Sequence, residues 1–194
     1  SSQQIDELRQ DQKLVEMSQA LNVIPDPIGK LITSPGFSKV RATAMTDSPA
    51  ITGLFHLGDL ADEFILGNSV TGGLNRDNAN PPGAIAGGTA FTTGANTLLR
   101  GDIFNNVLII VSNARNIPQT ITASVVRADL GGTPARGLDV KSFARRVCMF
   151  SPTDGTTVRR SIMSFNSSND DETTWTNPYT TNFLNFGRTG TDVN

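Results

Sequence analysis

The 194-residue chain contains one cysteine and one histidine. A disulfide within the chain is therefore excluded, and so are zinc ribbons and His-rich metal sites. Tryptophan and tyrosine also occur once each, too few for the exposed aromatic platform of a carbohydrate-binding module. No stretch approaches the roughly 18 consecutive apolar residues of a membrane-spanning helix. The 18 glycines and 10 prolines are too irregularly placed for collagen. Apolar runs separate them too often for a disordered chain. The opening Ser1-Ser2-Gln3-Gln4 does not begin a signal-peptide pattern.

A net charge of −2 gives no electrostatic case for nucleic-acid binding by the whole chain. The charge is unevenly spread. Residues 1–66 carry nine acidic and five basic side chains, residues 100–160 four and nine, and residues 161–194 four and one. Acidic ends thus flank a basic middle. Either they pair within the chain, or the end of one copy meets the middle of the next, because complementary fields favour encounter and register.

The spacing of Ile5, Leu8, Leu14, Val15, Met17 and Leu21 predicts an amphipathic helix over residues 3–21, capped by Ser2 and ended before Pro25 and Pro27. An extended arm, residues 22–35, follows. From Gly36 the pattern becomes short strands between turn residues. The strands are expected at Phe37–Met45, Ala50–Leu57, Glu63–Leu66, Thr89–Thr93, Asn106–Ser112, Thr120–Ala128, Leu138–Phe150 and Thr156–Phe165. Ile121, Ala123 and Val125 alternate with Thr122 and Ser124, as in a half-buried strand. Val107-Leu108-Ile109-Ile110-Val111 is continuously apolar and belongs in the centre of the structure. Gly67 to Gly88 is a long loop, poor in bulky residues. Residues 166–194 form an extended tail whose Trp175, Tyr179, Phe183, Leu184 and Phe186 are spaced as anchors. Such a tail adds a strand to a sheet edge, in its own subunit or another. The expected class is all-β, a β-sandwich or jelly roll with an N-terminal helix and extended terminal arms. Its divisions are residues 1–35, 36–165 and 166–194.

Candidate chemistry is sparse. His56, Asp59 and Glu63 would share a helical face with Asp62 nearby, as a metal site needs, but Phe55 and Leu57 argue for a strand there. His56 and Cys148 would form a thiol–base pair only if the fold joined them. Cys148, inside Val147-Cys148-Met149-Phe150, is better read as a small buried hydrophobe. Gly83-Ala84-Ile85-Ala86-Gly87-Gly88-Thr89 has phosphate-loop spacing without the required lysine. Arg100-Gly101-Asp102 is the tripeptide integrins read, and Asn166-Ser167-Ser168 matches a glycosylation acceptor. Arg145-Arg146 and Arg159-Arg160 flank an expected hairpin of Val147–Phe150 with Thr156–Val158. Their guanidiniums either lie over the sheet in water or take carboxylates from a neighbouring subunit, Asp170, Asp171 and Glu172 among them.

The stretch from Asn106 to Val126 combines an apolar strand, an Asn-containing turn and an alternating Thr/Val strand. In this it resembles bacterial endospore-appendage and related jelly-roll filament subunits. Their Cys-rich N-terminal connector has no counterpart here. The resemblance implies a subunit that polymerises through its N-terminal arm. A viral coat subunit shares that architecture, although residues 1–35 lack a basic genome-binding arm. The chain is therefore expected to be a self-assembling structural subunit at an extracellular or particle surface, and not an enzyme. Its expected partners are other copies of itself, with no cofactor, no metal, no membrane span and no directly bound nucleic acid. The expected intersubunit contacts are Ile5, Leu8, Leu14, Val15, Leu21, Arg145, Arg146, Arg159, Arg160, Trp175, Tyr179, Phe183 and Phe186. A carbohydrate- or ligand-binding module is the rival reading.

Overall fold

The computed structural model describes residues 23–25, 31–33, 43–56, 64–153 and 155–187. The expected helix over residues 3–21, with Ile5, Leu8, Leu14, Val15 and Leu21, lies outside them, as do residues 37–42 of the first expected strand. The described residues form strands and turns, and no helix among them is long and apolar enough to cross a membrane. The chain divides into two units, Ser1–Val40 and Arg41–Asn194. In the first, β1 (Val23–Pro25) pairs antiparallel with β2 (Leu31–Thr33), so the expected arm contains a hairpin.

The second unit consists of three four-stranded antiparallel sheets. The first sheet comprises β3 (Ile51–His56), β4 (Phe64–Asn68), β5 (Leu74–Arg76) and β6 (Gly83–Ile85). The second comprises β7 (Leu99–Phe104), β8 (Val107–Ser112), β9 (Gln119–Ile121) and β10 (Arg127–Asp129). The third comprises β11 (Asp139–Phe143), β12 (Arg146–Phe150), β13 (Ile162–Phe165) and β14 (Phe183–Asn185). In every sheet, hydrogen-bonded neighbours are consecutive in the chain. The crossovers of a jelly roll do not occur among the described strands.

Strand β8 explains how the sheets share their burial. Successive side chains on a strand face opposite ways. Ile109 and Val111 pack with Val140, Val147 and Met149 of the third sheet, together with Phe104, Leu130 and Trp175. Leu108 and Ile110 pack with Ile65 and Leu74 of the first sheet, together with Phe91, Leu99 and Ile121. The continuous apolar run therefore serves two cores. Close approach of the first sheet depends on Gly101, where a Cβ would lie 3.0 Å from both the Ile109 carbonyl and the Phe55 ring.

Several expected strands are divided by turns. Leu138–Phe150 is the β11–β12 hairpin, turning at Ala144-Arg145 with φ of 47° and 63°. Neither residue is the Asn or Gly that usually marks such a turn. Thr120–Ala128 is the β9–β10 hairpin. The Val125 N–H donates to the Thr122 carbonyl (2.8 Å), and the Val126 N–H to the Thr122 hydroxyl (3.3 Å). Thr122 thus closes a local turn that competes with strand alternation. Gly67–Gly88 holds β5 and β6, whereas Thr89–Thr93 is not a strand.

Ile110 is fully buried between layers. Truncating Ile110→Ala is expected to lower the unfolding free energy by about 2–5 kcal/mol in a urea titration. Val126→Ala, at an exposed turn residue, should change it by less than about 0.5 kcal/mol.

Candidate functional site

The motifs that suggested chemistry are largely absorbed by packing. Arg100-Gly101-Asp102 lies inside β7, paired in register with β8. Arg100 pairs with Asp139 at 3.2 Å, and Asp102 accepts the Ser142 N–H at 2.6 Å and faces Lys141 at 3.9 Å. These contacts bind β7 to β11 instead of presenting a recognition loop. In the glycine-rich stretch, Gly87 (φ 94°) leaves no room for a side chain, since a Cβ would sit 2.3 Å from the Arg127 carbonyl. The stretch packs on the buried Arg127. That guanidinium donates to Gln119 Oε1 (2.6 Å) and the Thr89 carbonyl (3.0 Å) and lies 5.8 Å from the Phe91 ring centroid. Burial lowers its pKa from the ordinary value, and Asp129 opposes that shift. Asp129 in turn accepts the Thr89 N–H and hydroxyl, both at 2.6 Å.

His56 and Cys148 are not brought together. His56 is exposed on β3 beside Phe64, their ring centroids 5.4 Å apart, whereas Cys148 is buried in β12 of the third sheet. Burial raises the thiol pKa, with Arg146 acting weakly against it. Asp59, Asp62 and Glu63 lie outside the described residues.

The tail finds its first burial on its own chain. Trp175, expected at a subunit contact, is 6% exposed within the core beside β12. Tyr179 packs on the same core and donates to the Thr153 carbonyl. Phe183 opens β14, which pairs with β13. Asn166, fully buried, accepts the Val147 N–H (2.8 Å) and donates to the Ser168 and Asp171 carbonyls (2.6 and 2.7 Å). It fastens the tail to β12, and its amide is not available as a glycosylation acceptor. Of the five expected anchors, Leu184 and Phe186 remain strongly exposed, at 51% and 66%.

The four expected contact arginines separate. β12 pairs with β13 instead of Thr156–Val158, so the expected hairpin does not form. Arg145 takes its carboxylate from Asp170 of the same chain, which lowers the Asp170 pKa. Arg146 stacks 5.4 Å from the Phe165 ring centroid and donates to the Asn166 carbonyl. Arg159 stacks 5.7 Å from that of Tyr179. Arg160 is exposed. Asp171 has no arginine partner among the described residues. It accepts from Thr173 N–H and Oγ1 (2.9 and 2.7 Å) and from the Thr174 hydroxyl, and these bonds lower its pKa to about 2.

Two other arginines, Arg115 and Arg136, line open space. One cleft, of about 350 Å³, is walled by Thr89, Ala90, Arg115, Asn116, Arg136 and Thr153. A second, of about 420 Å³, shares Ile117 and Arg136 and adds Asp129, Leu130, Thr133, Pro134 and Tyr179. Ser151–Thr153 organises this region. Arg115 donates to the Ser151 carbonyl (3.0 Å) and hydroxyl (3.1 Å), the Thr153 N–H donates to the Arg136 carbonyl (3.0 Å), and the Arg159 N–H donates to the Pro152 carbonyl (2.8 Å). The remaining polar side chains on the walls are occupied. Asn116 bonds Thr92 and Ser112, Thr133 donates to the Trp175 carbonyl (3.1 Å), and Thr153 Oγ1 accepts from Gly155 N–H (3.1 Å). The sequence signal for this site was the basic middle of the chain. Counting charge alone directed attention to the adjacent Arg pairs, not to two arginines 21 residues apart, one after a turn and one at an isolated β-bridge to Thr153.

No family model matches the chain, and no curated protein matches it.

Two outcomes check these placements. Cys148 should react with a thiol reagent at neutral pH only as fast as the chain unfolds, so urea should accelerate labelling sharply. For Asp171, folding lowers the pKa below its ordinary value, so its stabilising contribution is complete above about pH 4 and disappears as pH falls towards about 2. Asp171→Asn should flatten that part of the stability–pH curve, and the carboxyl NMR resonance should titrate with a midpoint near 2.

Proposed function

We propose that this chain is a structural subunit that associates with other copies of itself, building a filament or shell at an extracellular or particle surface. This reading keeps the expected likeness to appendage-type subunits but moves the contact. The observation that carries it is the outer edge of the third sheet. β14 is hydrogen-bonded to β13 and to no second strand among the described residues. Beside this open edge stand Leu184 and Phe186, two of the more exposed large apolar side chains. Open strand edges invite pairing with another chain, and apolar side chains at such an edge favour it further. The assembling element is thus the end of the folded tail, in contrast to a tail that leaves its own globule. The sheets stacked on both sides of β8 supply a rigid body for such an edge. A carbohydrate-binding role has less support, because Trp175 is buried and Tyr179 is partly buried against the core.

Sedimentation velocity over a concentration series tests this. Wild-type chain should associate, and Leu184→Asp/Phe186→Asp should weaken association roughly 30-fold, the size expected for losing a buried anchor. A wild-type chain that stays monomeric at the highest soluble concentration, or a variant that associates equally well, would refute the reading.

A further inference from the structure

The twin clefts beside Ser151–Thr153 have an unusual hydrogen-bonding balance. Their hydroxyls, side-chain amide and carboxylate are already engaged within the chain, as described above. Among the described residues, the charged side-chain capacity left over on the walls is positive and donating. Arg136 has no hydrogen-bond or ion-pair partner for its guanidinium among the described residues, and both clefts share it. Arg115 uses Nε and Nη2 on Ser151 and leaves Nη1 over. Because Ser151 grips two of its nitrogens, this guanidinium is held in place before any ligand arrives. Asp129, the one carboxylate on the walls among the described residues, is turned to Thr89 through both oxygens. Between the polar groups lie Ala90, Ile117, Leu130 and Pro134, a short apolar lining. The two volumes fall at the small end of ligand-sized sites.

From this balance we infer that the clefts form a binding site for a small organic oxoanion, a carboxylate or phosphate group on a short carbon skeleton. A guanidinium fork matches either group with two parallel N–H···O bonds. Arg115 provides the fixed donor and Arg136 the adjustable one, and the carbon skeleton lies against Ile117 and Pro134. The site does not depend on self-association, because all of its groups come from one chain.

Calorimetric titration of the full chain with succinate, and separately with glycerol phosphate, tests the inference. At least one should bind saturably. Arg136→Gln should weaken that binding at least about tenfold without moving the urea midpoint, because the side chain supports nothing else. Arg115→Lys keeps the charge but removes the fork, and should also weaken binding. Arg160→Gln, an exposed arginine outside both clefts, should not. Binding of succinate alone identifies a carboxylate site, binding of glycerol phosphate alone a phosphate site, and binding of both a general oxoanion site. Absence of saturable binding for both, or equal losses in Arg136→Gln and Arg160→Gln, overturns the inference.

Discussion

Burial of β8 on both faces constrains every other part of the second unit. A strand with one wet face can alternate apolar and polar residues, whereas a strand covered twice must be apolar throughout. Val107 to Val111 meets that demand, and the outer sheets then need to supply only one apolar face each. Ile65 and Leu74 do so on one side, Val140, Val147 and Met149 on the other. The glycines of β3, β4 and β7 follow from the same constraint. Gly53, Gly67 and Gly101 sit where the first sheet approaches β7, and Leu99 or Phe55 fills the space that a side chain at each would need.

Polar groups buried by this stacking are satisfied in small closed networks. Arg127, Gln119, Thr89 and Asp129 tie the segment after β6 to the β9–β10 hairpin, and Asn166 ties the start of the tail to β12. An unpaired buried polar group costs on the order of 1–3 kcal/mol, so these networks preserve stability and also fix where each loop lies. They explain why long segments poor in regular structure pack in one arrangement. They also place the clefts, since Thr89 and Asp129 belong to the first network and wall the open space next to it.

The strand content was legible where hydrophobic pattern and turn chemistry agreed. The apolar run of β8 was placed centrally, and β3 and β4 fall within a residue or two of their expected positions. Strand β7 was not expected, and Asn106 was assigned to the strand after it, although Asn105-Asn106, with φ of 49° and 61°, is a turn whose residues suit it. Ala144-Arg145 adopts the same left-handed geometry without that signature, so β11 and β12 read as one strand. Thr122 looked like the polar half of an alternation, and its hydroxyl instead closes a turn. The burial of Trp175 was hidden because spacing reveals anchors but not which copy they anchor to. Arg115 and Arg136 were invisible as a pair, since it is the shared segment Ser151–Thr153, bound by the Arg115 side chain and bridged to Arg136, that draws them together.

The unbroken chain-order pairing has a kinetic side. Each sheet in the second unit is a meander whose ladders join strands adjacent in the chain, so they close through short loops and little chain entropy is lost before contacts form. Isolated meanders of such short strands are weak in water, and stability arrives only when one is laid against another. During synthesis the first two sheets emerge ahead of the third. Without β11–β14 in place, the Ile109 and Val111 face of β8 lacks its cover, and apolar surface left open in this way favours aggregation.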